Sequence, residues 1–145
     1  MAVRSMEGIM SQTYAKDMRS TAYRHLEAAE HLYTSSRRHD VAGYLFGIAA
    51  ECALKRIMSD SGMRPLSKDQ RRDDPFYAHF EELKTLLRDS VSGRRQSELR
   101  AFAMNDGFMQ HWDVSMRYSD GKGIDPKWIA RWSKDARAVV DRMDG

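Results

Sequence analysis

Two arginine–histidine pairs in this 145-residue sequence contain the residue types that metal-free cleavage of RNA requires. Arg72 precedes His79, and His111 precedes Arg117, each with a short spacer between them. Histidine titrates near neutrality, so it can take the proton of an attacking 2′-hydroxyl. Arginine is always charged and matches phosphate geometry, so it can stabilise the charge that develops on the phosphate. These four side chains are the first candidates for catalytic residues.

The pair of Arg72 and His79 also has a purely structural interpretation. Pro75 indicates that a helix begins there, so Arg72 belongs to the preceding loop and is free to fold back towards His79. Alternatively, Arg72 is a solvated loop charge, and His79 is a helix-terminal residue that bonds the backbone. The sequence supports both interpretations.

Glu51 is the next candidate for the same site. Its neighbours in AAECALK are small or apolar, so we expect it to be partly buried and to need a partner. Lys55, one helical turn further on, is one such partner, and an arginine from another helix is a second. The functional alternative is that Glu51 orients a catalytic histidine or arginine.

We expect neither a metal ion nor a cofactor. The single cysteine, Cys52, excludes a disulfide within the chain and a cysteine-based zinc cluster, and its alanine neighbours predict a buried thiol. His25 and His31 are poorly spaced to share a helix face. The sequence also lacks the His-x3-His and Glu-x-x-His ligand pairs.

Three tryptophans are candidates for stacking on nucleic-acid bases. Trp128 and Trp132 lie one turn apart on an apolar stripe, which favours packing in the core. Trp112, beside His111, is the better candidate for a surface position. The glycine-containing run at residues 119–123 lacks the spacing of a phosphate-binding loop and is interpreted as a turn.

The composition is typical of a single globular domain. Charged residues make up 31% of the chain, the net charge is +3 and the isoelectric point is about 9.1. Arginine pairs at 37–38, 71–72 and 94–95 lie near predicted helix ends, where they either bind phosphate or solvate the surface. The first residues lack the apolar run of a signal peptide or membrane span, so we expect a cytoplasmic protein without membrane contact.

The elements that must position the candidate residues are helices. Apolar residues recur at helical spacing in several segments, and period-two alternation is not evident. The predicted helices cover roughly residues 14–33, 41–58, 76–89, 94–107 and 126–143, with a polar loop at 63–74 and an irregular segment at 108–124. We therefore predict an all-α, up-and-down bundle of four to five helices, with a flexible N-terminus at residues 1–13 and a single domain at residues 14–145.

The second predicted helix has a face of small residues. Asp40 is expected to cap its start, and Gly43, Gly47 and Ala50 form the narrow face. A glycine within a helix costs about 1 kcal/mol relative to alanine, but it lets another backbone approach closely. This pattern predicts either close helix packing or a dimer seam.

The helical hairpin resembles the HEPN superfamily of small helical-bundle domains. The similarity lies in HLEAAEHLY at 25–33 and in AGYLFGIAAECALK at 42–55, where Glu51 precedes a Leu-Lys pair. HFEELKTLL at 79–87 is similar to the third helix of many members, and HWDVSMRY at 111–118 to a Trp-to-Arg-Tyr segment in some. The resemblance covers roughly residues 14–140 and implies a HEPN-like fold.

The resemblance implies two alternative functions. Active members are metal-independent endoribonucleases of toxin or defence type, with an arginine, a short spacer and a histidine. Arg72 and His79 match this spacing, and so do Arg19 and His25, whereas no histidine follows Arg117. Such enzymes are expected to be symmetric homodimers with the RNA cleft at the subunit interface. The alternative is a catalytically inactive interaction module that dimerises or binds an antitoxin, a nucleotidyltransferase-type protein or another effector.

Overall fold

The computed structural model describes residues 16–90 and 97–145. Within these ranges every regular element is helical, which confirms the predicted all-α bundle. The α-helices are α1 (Met18–Ser35), α2 (His39–Asp60), α3 (Phe80–Ser90), α4 (Ser97–Met104) and α5 (Pro126–Met143). Short 3-10 helices span Lys68–Asp73, Pro75–Tyr77 and Val114–Tyr118. The N-terminal segment predicted to be flexible, residues 1–13, lies outside the described residues.

Helix α2 is the central element of the bundle. It packs against α1 on one side and α5 on another, and most of its residues from Ala42 to Met58 are buried. On α1, the buried residues are Ala22, Leu26 and Ala29, which lie at helical spacing. Alanine is small enough for the two helix backbones to approach closely while losing no side-chain entropy. On α5, Trp132, Ala136, Val139, Val140 and Met143 are likewise buried at helical spacing.

The small-residue face of α2 is covered by tryptophans of the same chain. Trp132 lies against Gly43, and Trp112 lies across Gly47, with its Nε1 donating to the Gly43 carbonyl oxygen at 3.1 Å. The predicted surface position of Trp112 is therefore wrong, because only 3% of this residue is exposed. A dimer seam at this face is also ruled out, since the indole rings already fill the space.

The segment at residues 108–124 brings Trp112 onto α2. As predicted, it is largely irregular, with one short 3-10 helix. Trp112 also contacts Phe80 at the start of α3, with the two rings nearly perpendicular and their centroids 5.9 Å apart. Trp132 is buried, as expected for core packing, while Trp128 is half-buried. One indole thus joins α2, α3 and the connecting segment.

Three of the predicted helix starts are wrong. Helix α1 begins at Met18, where Asp17 caps it, instead of near residue 14. Helix α2 begins at His39, and Asp40 lies inside its first turn, where its carboxylate accepts from Arg38 Nη2 at 2.6 Å. Pro75 starts a 3-10 helix that ends at Tyr77, so α3 begins only at Phe80. By contrast, α5 begins at Pro126 as predicted, because the sequence Asp125-Pro126 combines a capping residue with a proline at the first turn. The Asp125 carboxylate accepts from the Lys127 backbone N–H.

The polar loop at 63–74 is more structured than its sequence indicated. It contains the 3-10 helix Lys68–Asp73, and it ends at the buried Asp74. The Asp74 carboxylate accepts from the backbone N–H groups of Leu66 at 2.7 Å and Phe76 at 3.0 Å. One side chain therefore fixes both the loop and the approach to α3.

Helix α4 ends at Met104, three residues before the predicted end at Gly107.

The ends of the domain are joined by a cluster around Asp144. Arg19 near the start of α1 donates two hydrogen bonds to its carboxylate, and the Tyr23 hydroxyl donates another. These donors favour the ionised carboxylate and lower the pKa of Asp144 to about 2.

In the described part of the chain, no helix has the length and apolar character needed to cross a membrane.

The tight packing at Gly47 generates a test of the fold. A Cβ atom at Gly47 would lie 2.5 Å from Trp112 Cζ2 and closer still to two other ring atoms, so Gly47→Ala requires the indole to move. We expect a net loss of about 1–3 kcal/mol in the free energy of unfolding, despite the better helix propensity of alanine. Urea unfolding measures this loss.

Gly43→Ala is the matched control. Its new Cβ would lie 3.0 Å from the Trp132 ring, so a small shift of the neighbour accommodates it and the loss should be smaller. If the Gly47→Ala protein were as stable as the wild type, Trp112 would not occupy this groove.

Candidate functional site

Glu51, Lys55 and His79 form a hydrogen-bonded chain at the junction of α2 and α3. Lys55 Nζ donates to Glu51 Oε2 at 3.3 Å, and His79 Nδ1 lies 3.0 Å from Glu51 Oε1. The two alternatives for Glu51, a structural pair with Lys55 and the orientation of a histidine, therefore occur together. A carboxylate only accepts hydrogen bonds, so the His79 proton facing it resides on Nδ1.

Burial differs sharply along this chain of side chains. The side chains of Glu51 and Lys55 are 7% and 8% exposed, whereas that of His79 is 45% exposed. The buried charges of Glu51 and Lys55 are opposite and compensate one another. A charge that is buried in a helical core requires such a partner. The imidazole of His79 has its second nitrogen, Nε2, without a hydrogen-bond partner among the described residues. A solvent-accessible ring thus has one nitrogen fixed by a buried carboxylate.

The local sequence explains why His79 reaches Glu51. His79 directly precedes α3, and its carbonyl oxygen accepts from the Leu83 backbone N–H at 2.7 Å, as a residue at a helix start does. The next residue, Phe80, is buried against Trp112. The Trp112 ring in turn packs against α2. This contact holds the start of α3 close to α2, so the His79 ring meets the Glu51 carboxylate.

Arg72, the predicted partner of His79, occupies a different environment. It lies in the 3-10 helix Lys68–Asp73 and is exposed. Among the described residues, no hydrogen bond joins Arg72 to His79 and no ion pair joins it to Glu51. The loop therefore does not fold back to form a direct Arg72–His79 contact within one subunit.

His111 and Arg117 are not brought together either. The His111 ring stacks on Trp128 with centroids 4.5 Å apart, and its backbone has a positive φ of 73°. Arg117 donates to the Tyr44 hydroxyl at 3.4 Å and lies over the Tyr118 ring. The two side chains line different cavities. The structure thus leaves the predicted His111–Arg117 pair without a shared groove.

The remaining candidates have structural partners. Arg19 binds Asp144, and the His25 ring bonds the Thr21 carbonyl oxygen one turn earlier. Burial raises the pKa of the Cys52 thiol to about 11, so the thiol is protonated and unreactive at neutral pH. In residues 16–90 and 97–145, no group of three His, Cys, Asp or Glu side chains is placed to hold a metal ion.

Comparisons of the chain with family models, curated proteins and solved structures found no match. The observations thus define the protein as an all-helical bundle in which a buried Glu–Lys pair holds an exposed histidine. The pairing of Glu51 with His79 joins residues 28 positions apart, and the sequence offered no signal that paired this histidine with Glu51. The HEPN resemblance stays a prediction.

The burial of the Glu51–Lys55 pair generates a second test. Glu51→Ala leaves the Lys55 ammonium without its carboxylate, so we expect the free energy of unfolding to fall by about 3 kcal/mol. Replacing both partners by apolar residues, as in Glu51→Leu with Lys55→Met, should recover most of that loss. Urea unfolding of Glu51→Leu, Lys55→Met and their double variant measures the coupling.

Glu27→Ala, at an exposed position on α1, is the control and should change stability little. A Glu51→Ala protein as stable as this control would show that Glu51 and Lys55 do not form a buried pair.

Proposed function

We propose that this protein is a metal-independent endoribonuclease of HEPN type, with His79 as the general base. The observation that supports this proposal is the Glu51–His79 hydrogen bond, which fixes the proton on Nδ1 and leaves the lone pair of Nε2 on an exposed ring. A base must be free to accept a proton, and a carboxylate behind it keeps the imidazole in the required tautomer. We propose a cytoplasmic location and a toxin or defence role for this activity.

The proposed reaction needs no bound metal. His79 Nε2 accepts the proton of the 2′-hydroxyl, and the 2′-oxygen attacks the adjacent phosphorus. The bond from phosphorus to the 5′-oxygen breaks, and the leaving oxygen takes a proton from solvent. The products are a 2′,3′-cyclic phosphate and a 5′-hydroxyl. The buried Glu51 carboxylate stabilises the imidazolium that His79 becomes during the first step.

The cation of the proposed site comes from Arg72. Its guanidinium stabilises the charge on the phosphate, as arginine does in phosphoryl chemistry. Because no hydrogen bond joins Arg72 to His79 among the described residues, we propose that a homodimer completes the site, with Arg72 of one subunit facing His79 of the other. This arrangement agrees with the cleft at the subunit interface that the HEPN resemblance implies.

A second candidate function is that of an inactive HEPN-like interaction module. Its support is the missing Arg72–His79 hydrogen bond, together with two exposed side chains, Tyr118 at 80% and Val41 at 40%. Exposed aromatic side chains are frequent in protein interfaces. The partner would be an antitoxin or a nucleotidyltransferase-type protein.

The activity is tested with single-stranded RNA in the presence of EDTA. The purified wild-type protein should cleave the RNA and leave 2′,3′-cyclic phosphate ends, detectable by mass spectrometry. His79→Ala should reduce the rate about 10²- to 10⁴-fold, because the general base is removed. Glu51→Gln should also reduce the rate, because the imidazolium loses its stabilising charge. Circular dichroism verifies that each variant is folded.

His31→Ala is the matched control, because this histidine is exposed on α1 and far from α3 in sequence. It should cleave RNA at the wild-type rate. Activity that survives His79→Ala but disappears in His111→Ala would move the site to residues 111–118. A wild-type protein without cleavage would favour the interaction module.

The composite site is tested by mixing subunits. Arg72→Ala and His79→Ala proteins should each be inactive, but a refolded mixture should regain about one quarter of wild-type activity. The reason is that half of the dimers are mixed, and each mixed dimer has one intact site. If the mixture stays inactive while light scattering shows a dimer, both residues act within the same subunit. A monomer at tens of micromolar would exclude the composite site.

A further inference from the structure

A cavity of about 630 Å³ lies beside the buried Glu51–Lys55 pair. Its volume is within the range of small-molecule sites. Three of its lining residues are cations, namely Lys16, Lys55 and Arg56, and the remaining lining is largely apolar or aromatic. The one acidic residue of the lining, Asp17, already accepts a hydrogen bond as the cap of α1. Lys55 is paired with Glu51 and Arg56 with Asp60, so Lys16 is the lining cation that forms no ion pair among the described residues, and it lies beside an apolar surface.

Two cations lie over the ring of Tyr77, which lines this cavity: Lys16, itself a lining residue, and Arg71, which lies outside the lining. Lys16 Nζ lies 5.5 Å from the centroid of the Tyr77 ring, and the Arg71 guanidinium lies 4.6 Å from the same centroid. Tyr77 lines the cavity and is itself 45% exposed. A cation–π contact positions a positive charge without neutralising it. In the described part of the chain, neither cation forms an ion pair, so both charges are available to an anion.

Lys55 connects the cavity to the histidine. It lines the cavity, and its buried ammonium donates to Glu51, which in turn bonds His79. An ammonium has three N–H donors, and Glu51 takes one of them. A ligand that contacts Lys55 in the cavity would thus be connected to the proposed general base through Lys55 and Glu51.

We infer that this cavity binds a nucleotide of single-stranded RNA next to the cleaved bond, with a backbone phosphate against Lys16 and Arg71 and the base against the apolar lining of Met18, Pro65 and Phe76. The division of the cavity into a cationic part and an apolar part matches the two halves of a nucleotide. This inference rests on the proposed ribonuclease function and deepens it, because it assigns substrate binding to residues distinct from His79.

The test separates binding from cleavage. A fluorescein-labelled hexanucleotide carrying 2′-O-methyl groups cannot be cleaved, because the attacking hydroxyl is blocked, so fluorescence anisotropy reports binding alone. The double variant Lys16→Ala with Arg71→Ala should raise the dissociation constant about tenfold. The slope of log Kd plotted against the logarithm of the salt concentration should decrease by about 0.7 for each phosphate that the variant no longer neutralises. His31→Ala, which removes an exposed histidine of α1, should bind with the wild-type dissociation constant.

Arg100→Ala with Lys127→Ala is the matched control, because it removes the same charge from exposed residues that neither line the cavity nor lie over its Tyr77 ring. It should leave both the dissociation constant and its salt dependence near wild type. Equal weakening by the two double variants would overturn the inference and indicate a general charge effect.

Two further outcomes would also overturn it. Tight binding of free nucleoside monophosphates would make the cavity a mononucleotide site, and binding of an acidic peptide instead of RNA would make it a protein-docking site. If the hexanucleotide binds through Lys16 and Arg71 but unmodified RNA is not cleaved, the binding site stands and the ribonuclease proposal fails.

Discussion

The carboxylate of Glu51 sets the constraint on which the rest of the arrangement depends. A charged oxygen pair inside a helical core is stable only if other groups replace its missing hydration. Here Lys55, one turn further along α2, supplies a positive charge, and His79 supplies a hydrogen bond from the start of α3. Burial of Glu51 therefore ties α3 to α2 at a defined point and gives His79 a fixed orientation. The structural role and the proposed catalytic role share the same bond.

The packing of α2 provides the geometry that makes this bond form. Gly43, Gly47, Glu51 and Lys55 are each four residues apart, so they lie near one stripe of the helix. The glycine half of the stripe accepts the rings of Trp132 and Trp112, and the charged half accepts His79. Trp112 also packs on Phe80, the residue that follows His79. Close apolar packing in one half thus positions the polar contact in the other.

The proposed site separates the orientation of the histidine from the binding of phosphate. The buried Glu51–Lys55 pair is neutral overall, so it holds His79 without adding net charge to the core. The cations offered to a phosphate are on the outside, at Lys16 and Arg71, where the Tyr77 ring holds them. Such a division places the proposed phosphate-binding cations at the surface, while the proposed base keeps a free nitrogen.

The sequence by itself determined the local features of this protein. Apolar periodicity identified five helices, the Asp125-Pro126 pair located the start of α5, and the i+4 spacing identified the Glu51–Lys55 pair, because these features depend on residues close in the chain. Only the tertiary structure decided that Trp112 is buried on Gly47, that α3 begins after a 3-10 turn, and that His79 meets Glu51. These outcomes depend on contacts between residues far apart in sequence, and helical spacing contains no information about which distant side chain fills a groove or reaches a buried charge.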